Sequence, residues 1–218
     1  MAVSLAQATA SVFSTSNVSA YSSAAFTPLV GDGFLVIANF TGTSLSASIS
    51  GGGLNWYPFF AAPSSGLFMW TAQVRAAVST TIVTTAFDAA TGCVVHYFRI
   101  REYDVNSMIR QRCQNSGLAG ATVCASYTMA PLTGNAYGGI FANSTNPAAM
   151  SAPASWTEAI DSGYATPTVG SSMIFLNQGL TNPTVIWGTS ASTWVVHMFE
   201  VNAANTMPKN LPTMGYGI

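Results

Sequence analysis

Apolar and polar residues alternate most clearly in two stretches of the chain that resemble each other. Residues 93–101 read Cys-Val-Val-His-Tyr-Phe-Arg-Ile-Arg, and residues 194–201 read Trp-Val-Val-His-Met-Phe-Glu-Val. Neither stretch contains Gly or Pro, and both alternate as a buried β-strand does. When His96 is aligned with His197, the offset is 101 residues (197 − 96). The pattern therefore predicts that the chain is built twice.

Other β-rich segments recur in the same order. Pro28 and Pro131, each in a turn before an apolar run, are offset by 103 (131 − 28), and Trp56 and Trp156 by 100 (156 − 56). Small drifts of this kind are expected where strands are kept and loops change length. The sequence predicts one sandwich domain over residues 1–202, with halves at about 17–104 and 122–202, a crossover over 105–121, and an extended arm over 203–218.

The predicted fold class is all-β, a jelly-roll-like sandwich of two sheets with few or no helices. Each half offers about four or five strands separated by Gly, Ser, Thr or Pro turns, as in a sandwich. The best helical candidate, residues 105–115, lacks the apolar stripe of a helix and is assigned to the crossover. In the repeated strand, the face that carries His96 or His197 is expected to point to the core, and Arg99 and Glu200 to the rim or outside.

Charge is scarce. Only 6% of the residues are charged, the net charge is −1 and the mean hydropathy is +0.36. Because dispersed surface charge normally keeps a monomer soluble, we expect much of the surface to face other protein. A chain with so few Lys and Arg is not expected to bind nucleic acid. Four of its six basic residues are Arg99, Arg101, Arg110 and Arg112, which predicts either a solvated crossover or an ionic contact with a neighbouring subunit.

The N-terminal ten residues carry no Lys or Arg ahead of an apolar core, so no secretory signal is expected. No apolar run approaches the roughly 18 to 20 residues of a membrane-spanning helix, so no membrane partner is expected. The cysteines are Cys93, Cys113 and Cys124. Reduced thiols are the simpler interpretation, and a Cys113–Cys124 bridge would need an oxidising compartment.

The two histidines in like positions are the first candidates for chemistry. The sequence has no His-x-His, no Cys-x-x-Cys and no carboxylate at metal-ligand spacing near them, and two His supply at most half of a tetrahedral site. We therefore expect hydrogen-bonded core histidines. No Gly-x-Ser-x-Gly elbow is present. An enzyme would need a cleft holding two carboxylates or both His. No catalytic, metal-binding or cofactor-binding residue is assigned, and the expectation is a protein that is neither an enzyme nor dependent on a cofactor.

Aromatic residues offer a second kind of site. They could line a sugar-binding platform, or fill a core or an interface as Trp and Tyr often do. The residues concerned are Trp56, Tyr57, Phe59, Phe60, Trp70, Trp156 and Trp194.

The order of motifs also carries a family resemblance. Pro28-Leu-Val-Gly-Asp-x-Phe-Leu-Val-Ile is followed by Gly-x-Asn-Trp56, Phe-Met-Trp70 and the Val-Val-x-x-Phe strand, and the series repeats once. Over residues 17–202 this resembles the jelly-roll-like β-sandwich domains of tailed-bacteriophage virion proteins and bacterial surface proteins. The second copy departs from the pattern, with Tyr137-Gly-Gly-Ile-Phe in its apolar run and no Gly-x-Asn before its Trp.

The resemblance implies a virion structural protein, assembled in the host cytoplasm. A head decoration or cement protein is the first expectation, with the major capsid protein and further copies of itself, including a trimer, as partners. A tail or fibre component with a carbohydrate-binding sandwich is the alternative. The residues expected to contact other subunits are the four arginines above and, in the terminal arm, Pro208, Leu211 and Tyr216.

Overall fold

The computed structural model describes residues 2–40, 46–62, 66–118, 123–143, 152–165, 168–182, 184–187 and 193–204. These residues form strands and connections, and no helix occurs among them. The strands are β1 (Ser4–Gln7), β2 (Val12–Ser22), β3 (Gly33–Phe40), β4 (Ala47–Gly51), β5 (Tyr57–Ala62), β6 (Leu67–Gln73), β7 (Val83–Arg101), β8 (Ile109–Leu118), β9 (Val123–Ser126), β10 (Ala136–Asn143), β11 (Thr157–Ala165), β12 (Thr168–Leu176), β13 (Thr184–Trp187) and β14 (Thr193–Val201).

The strands make three antiparallel sheets. The largest has the order β1-β7-β3-β6-β5, with β2 and β4 also paired to β7. The second has the order β11-β12-β10-β14-β8, and β13 pairs with β9 in a small third sheet. The predicted all-β sandwich class is confirmed. The third sheet was not predicted. It arises because β13 and β14 are separate strands, whereas β7 runs through 19 residues without a break.

The two larger sheets share one strand arrangement. In the first, β3 lies between β7 and β6, and β5 follows β6; in the second, β10 lies between β14 and β12, and β11 follows β12. The registers match as well. Residues opposite one another across the three central strands are His96, Ile37 and Met69 in one sheet and His197, Ile140 and Met173 in the other.

Buried apolar side chains form three clusters. The central cluster lies between the two larger sheets and includes Leu35, Phe98 and Phe199. The rings of Phe98 and Phe199 meet edge to face, with their centroids 5.8 Å apart. A second cluster on the other face of the first sheet joins β3, β6 and β7 to Tyr21 of β2. A third on the other face of the second sheet includes Val185 of β13. Since β7 and β14 are covered on both faces, both sets of alternate side chains must be mainly apolar.

Part of the predicted crossover is a strand. Residues Ile109–Leu118 form β8, which pairs along its length with β14. Residues 105–115, the best helical candidate, contain no helix, as predicted. The predicted arm begins at Ala203, which bridges Tyr103, and the rest of the arm from residue 205 lies outside the described residues.

Candidate functional site

Two turns of the same design precede the central strands. In the first, the Asp32 amide donates to the Leu29 carbonyl at 2.9 Å; in the second, the Asn135 amide donates to the Leu132 carbonyl at 3.2 Å. The third residue of each turn is glycine with φ near +90°, at +94° and +87°. Because side chains make that conformation costly, the repeated Pro-Leu-x-Gly sequence specifies the turn.

The first turn is held by a buried carboxylate. Asp32 is 2% exposed. Its Oδ2 accepts from the Leu29 amide at 3.0 Å, and its Oδ1 accepts from the Arg101 Nε at 2.8 Å. The ion pair with Arg101 ties the first turn to the end of β7 and neutralises the charge of the buried Asp32 carboxylate.

The second turn is held by Glu200, which is fully buried. Its carboxylate accepts from the Leu132 amide at 3.0 Å, from Asn135 Nδ2 at 2.7 Å, from Arg110 Nη1 at 2.6 Å, and from Gln111 Nε2. Burial raises the pKa of Glu200, but these hydrogen bonds outweigh burial, and the pKa lies below its ordinary value. The prediction that Glu200 lies at the rim or outside is therefore wrong, because β8 and the second turn cover it.

Both turns lie at one end of the sandwich. The ends of β7 and β14 meet there, where the Ala204 amide donates to the Glu102 carbonyl at 2.8 Å and the Asp104 amide to the Asn202 carbonyl at 3.0 Å. The Ala203 amide donates to Asn135 Oδ1 at 2.9 Å. Five large apolar side chains at this end are between 43% and 63% exposed, and together we call them the turn face: Leu29, Val30, Val105, Met129 and Leu132.

The turn face was missed at the sequence level. A signal for it exists in the sequence, because the apolar pair Leu29-Val30 lies at the tip of a turn that contains Gly31. Such turns are usually polar. Exposed apolar patches at one end of a protein are typical of interaction sites.

A groove of about 700 Å³ adjoins the turn face at Val105. Its apolar walls include Leu54, Tyr57 and Met108, and Tyr57 is 63% exposed. Its polar side is organised by Gln73, whose Nε2 donates to the Val105 carbonyl at 2.8 Å and whose Oε1 accepts from the Arg75 guanidinium. The groove therefore combines apolar surface with a few fixed polar groups, as binding sites do.

His96 is a hydrogen-bonded core residue, as predicted. Its Nδ1 lies 2.8 Å from the Ser11 hydroxyl, and its Nε2 lies 2.8 Å from the Ser171 hydroxyl. Burial lowers the pKa of His96 to about 3, so the ring is neutral at pH 7. It joins β7 to the opposite sheet.

His197 differs, and the prediction of a hydrogen-bonded core residue is wrong there. It is buried, and neither ring nitrogen has a hydrogen-bond partner among the residues that the structure describes. Its ring lies 4.2 Å from the Phe60 ring, and the Arg112 guanidinium stands 4.8 Å from that same ring. Burial and the nearby Arg112 charge lower the pKa of His197 to about 4.

The four arginines of the sequence cluster are engaged differently. Arg101 and Arg110 form ion pairs with Asp32 and Glu200. Arg112 Nη1 donates to the Phe59 carbonyl at 3.0 Å, while Arg99 is partly buried and its Nε has no partner within the described ranges. Their contact with other subunits stays a prediction, as do the predicted contacts in the arm, whose residues lie outside the described part of the chain: Pro208, Leu211 and Tyr216.

Of the two interpretations of the seven aromatic residues, packing in or against the core holds for six. Trp70 is buried, Trp56 packs on the same outer cluster, and Phe59 and Phe60 pack on the central cluster. Trp156 and Trp194 pack on the third cluster. Tyr57 alone of the seven is largely exposed.

Cys93 is a buried free thiol, and burial raises its pKa. The side chain of Cys124 lies outside the description, so its pairing with Cys113 stays a prediction. Across the described ranges, no three residues among His, Cys, Asp and Glu come together as a metal site would require. Nor does that part of the chain contain a helix long and apolar enough to cross a membrane.

Fold and site together define an antiparallel β-sandwich protein with an apolar face at one end. Comparison of the chain with protein-family models, with curated proteins and with solved structures gives no match.

Proposed function

We propose that the chain is a structural protein of a bacteriophage virion, a head decoration or cement protein that binds the major capsid protein and further copies of itself. The observation that carries the proposal is the turn face, a set of exposed apolar side chains at one end of a molecule that has little charge elsewhere. Such a surface is suited to permanent contact with other subunits.

The distribution of charge supports an assembled state. Only 13 residues carry charge (6 basic and 7 acidic), and the two ion pairs use four of them. Nine charged residues remain outside these pairs (13 − 4). That is few for a chain of 218 residues, and it leaves little charge to keep the molecule dispersed at high concentration.

We also propose that the chain arose by internal duplication, and the shared strand arrangement supports this. Two sheets of the same order, with matching registers and the same anchored turn before each central strand, are what duplication of one unit would produce. An assembly protein built this way would present two related apolar turns together, and both contribute to the turn face.

The test is binding to undecorated phage heads. The purified chain is mixed with heads, pelleted and quantified, and the heat resistance of the heads is measured. Leu132→Asp is expected to abolish binding, and Ile82→Asp, a change at an exposed apolar residue outside the turn face, is the matched control. If the chain neither binds heads nor raises their heat resistance, the proposal is wrong.

A carbohydrate-binding tail or fibre component is the second candidate. It is favoured by one observation, the exposed Tyr57 ring in a groove that also presents the amide side chains of Asn55, Gln73 and Asn106. Stacking on an aromatic ring beside amide groups suits sugars. A glycan array tests it: a signal that Tyr57→Ala removes would support this function, and an array without signal would contradict it.

A further inference from the structure

We propose that the groove beside the turn face binds residues 205–218 of a second copy of the chain, so that copies are linked by their C-terminal segments. The proposal deepens the proposed function, on which it rests for its biological setting, by naming one partner of this surface. Self-association can nevertheless be measured without phage heads.

The first argument is the chemistry of the groove. Its surface is about half apolar, from side chains that include Leu54, Tyr57 and Val105, and about half polar, from the amides of Asn55, Gln73 and Asn106 and the Arg75 guanidinium. A fitting occupant therefore combines apolar side chains with hydrogen-bonding groups and carries little positive charge.

Residues 205–218 have that chemistry. Their one charged side chain is Lys209, and Pro208 and Pro212 disfavour a helix and favour an extended chain. Apolar residues recur at short intervals: Met207, Leu211, Met214, Tyr216 and Ile218.

The second argument is the place where this segment leaves the sandwich. Asn202–Ala204 run beside the connection after β7: the Asn202 amide donates to the Met108 carbonyl at 2.9 Å, and its Nδ2 donates to the Ser107 carbonyl at 2.8 Å. Met108 and Val105 belong to the same connection and line the groove. Residues 205–218 therefore begin next to the connection that lines the groove.

The reach of the segment favours a second copy. Leu211 is seven residues beyond Ala204 (211 − 204), which is roughly 23 Å in extended chain. The groove wall begins at the connection that Ala204 adjoins, so a segment of this length can carry most of its apolar residues beyond its own groove to that of a second copy. All fourteen residues (205 to 218) span roughly 46 Å, about the diameter expected for a domain of this size.

The experiment is a complementation test between two defective chains. One chain ends at Ala204 and lacks the segment; the other is full length and carries Val105→Asp in its groove. Val105 is 58% exposed, so the variant should fold, and circular dichroism verifies this. Each chain alone is expected to sediment as a monomer. Their equimolar mixture is expected to form a heterodimer, because the segment of one enters the intact groove of the other.

The unchanged full-length chain is expected to self-associate, and full-length Ile82→Asp, altered at an exposed site away from the groove, to do so equally. A synthetic peptide of residues 205–218 should bind the shortened chain and not its Val105→Asp version. A mixture that stays monomeric while the unchanged chain associates overturns the proposal, as does a shortened chain that binds glycans in this groove and not the peptide.

These outcomes separate the proposal from the proposed function. If the heterodimer forms and heads are not bound, the linkage stands and the virion role fails. If heads are bound equally well by the shortened chain and the mixture remains monomeric, the virion role stands and the linkage fails.

Discussion

His96 and His197 occupy matching positions in the two larger sheets, but their surroundings differ. His96 meets two hydroxyl groups, whereas His197 is packed against Phe60 with both nitrogens unpartnered. An imidazole ring that makes no hydrogen bonds stabilises the fold no more than an apolar side chain of similar size. We therefore expect His197→Leu to leave the free energy of unfolding at pH 7 within about 1 kcal/mol of the unchanged value.

The matched substitution His96→Leu should lower the free energy of unfolding by about 1 to 3 kcal/mol, because it leaves the buried Ser171 hydroxyl without this partner and removes one partner of the partly buried Ser11 hydroxyl. Both values come from urea titrations. Equal losses for the two variants would contradict the difference in surroundings.

The same histidines predict loss of stability in acid. Their pKa values in the folded protein, about 3 and about 4, lie below the ordinary value of 6.5. Between about pH 6.5 and pH 4 the unfolded chain therefore binds more protons, and stability falls as the pH falls. Two such groups should remove about 2 kcal/mol between pH 6 and pH 5.

Below pH 4.5 the lowered pKa of Glu200 adds to this loss, because its stabilising contribution disappears as the carboxylate is protonated. Urea titrations across this pH range give the measurement. His197→Leu is the control and should reduce the loss between pH 6 and pH 5 by about half. A stability that does not change from pH 7 to pH 5 would contradict the burial of the two rings.

At the scale of elements, the two anchored turns should respond alike to the same change. Gly31 and Gly134 have positive φ, and a Cβ there is strained whatever the space. We expect Gly31→Ala and Gly134→Ala each to lower the free energy of unfolding by about 1 to 2 kcal/mol. Thermal and urea unfolding provide the measurement.

Thr133→Ala is the control for this pair, because Thr133 is exposed in the second turn, and the change should stay within about 0.5 kcal/mol. If one glycine tolerates alanine and the other does not, the two turns are not equivalent in the folded protein.

Strand edges are also protected at this scale. At one end of the first sheet, the Phe59 carbonyl of β5 accepts from Arg112, and Pro58 has no amide to donate. At the other end, the Leu5 amide of β1 donates to Asn177 Oδ1 at 2.7 Å. Strand edges held in this way are poor sites for adding further strands, so we expect contact with other copies at side-chain surfaces such as the groove.

The strands were largely predictable because alternation and turn residues are local signals. The burial of Glu200 was not predicted because its partners are distant: Arg110 and Gln111 lie about ninety positions earlier in the chain (200 − 110). A charged residue is predicted to be exposed unless its partners are known. The alternation of polar and apolar residues along a strand does not show which distant residues those partners are. For the same reason, the sequence could pair His96 with His197 but could not show that one of them lacks hydrogen bonds.

At the scale of the whole molecule, the three apolar clusters explain how so weakly charged a chain can fold. Residues of β2 and β4 pack on the outer face of the first sheet and Val185 of β13 packs on that of the second, so β7 and β14 are buried on both faces. Of the large apolar side chains that are exposed in the described part of the chain, only Val18 and Ile82 lie outside the turn face and the groove. Two ion pairs hold the two turns, and Arg112 bonds to the edge strand β5. The surface that remains can therefore recognise a partner by shape and apolar contact and not by long-range attraction.

This distribution predicts how association responds to salt. The Arg101–Asp32 and Arg110–Glu200 pairs are closed within the chain, so contacts through the turn face and groove should be mainly apolar. Raising sodium chloride from about 0.05 M to about 0.5 M should change the self-association constant less than about threefold, and sulfate should strengthen association. Sedimentation equilibrium measures both effects. If association instead weakens about tenfold or more in sodium chloride, the arginine cluster and not the apolar face makes the contact, and Arg99→Ala or Arg112→Ala should then abolish it.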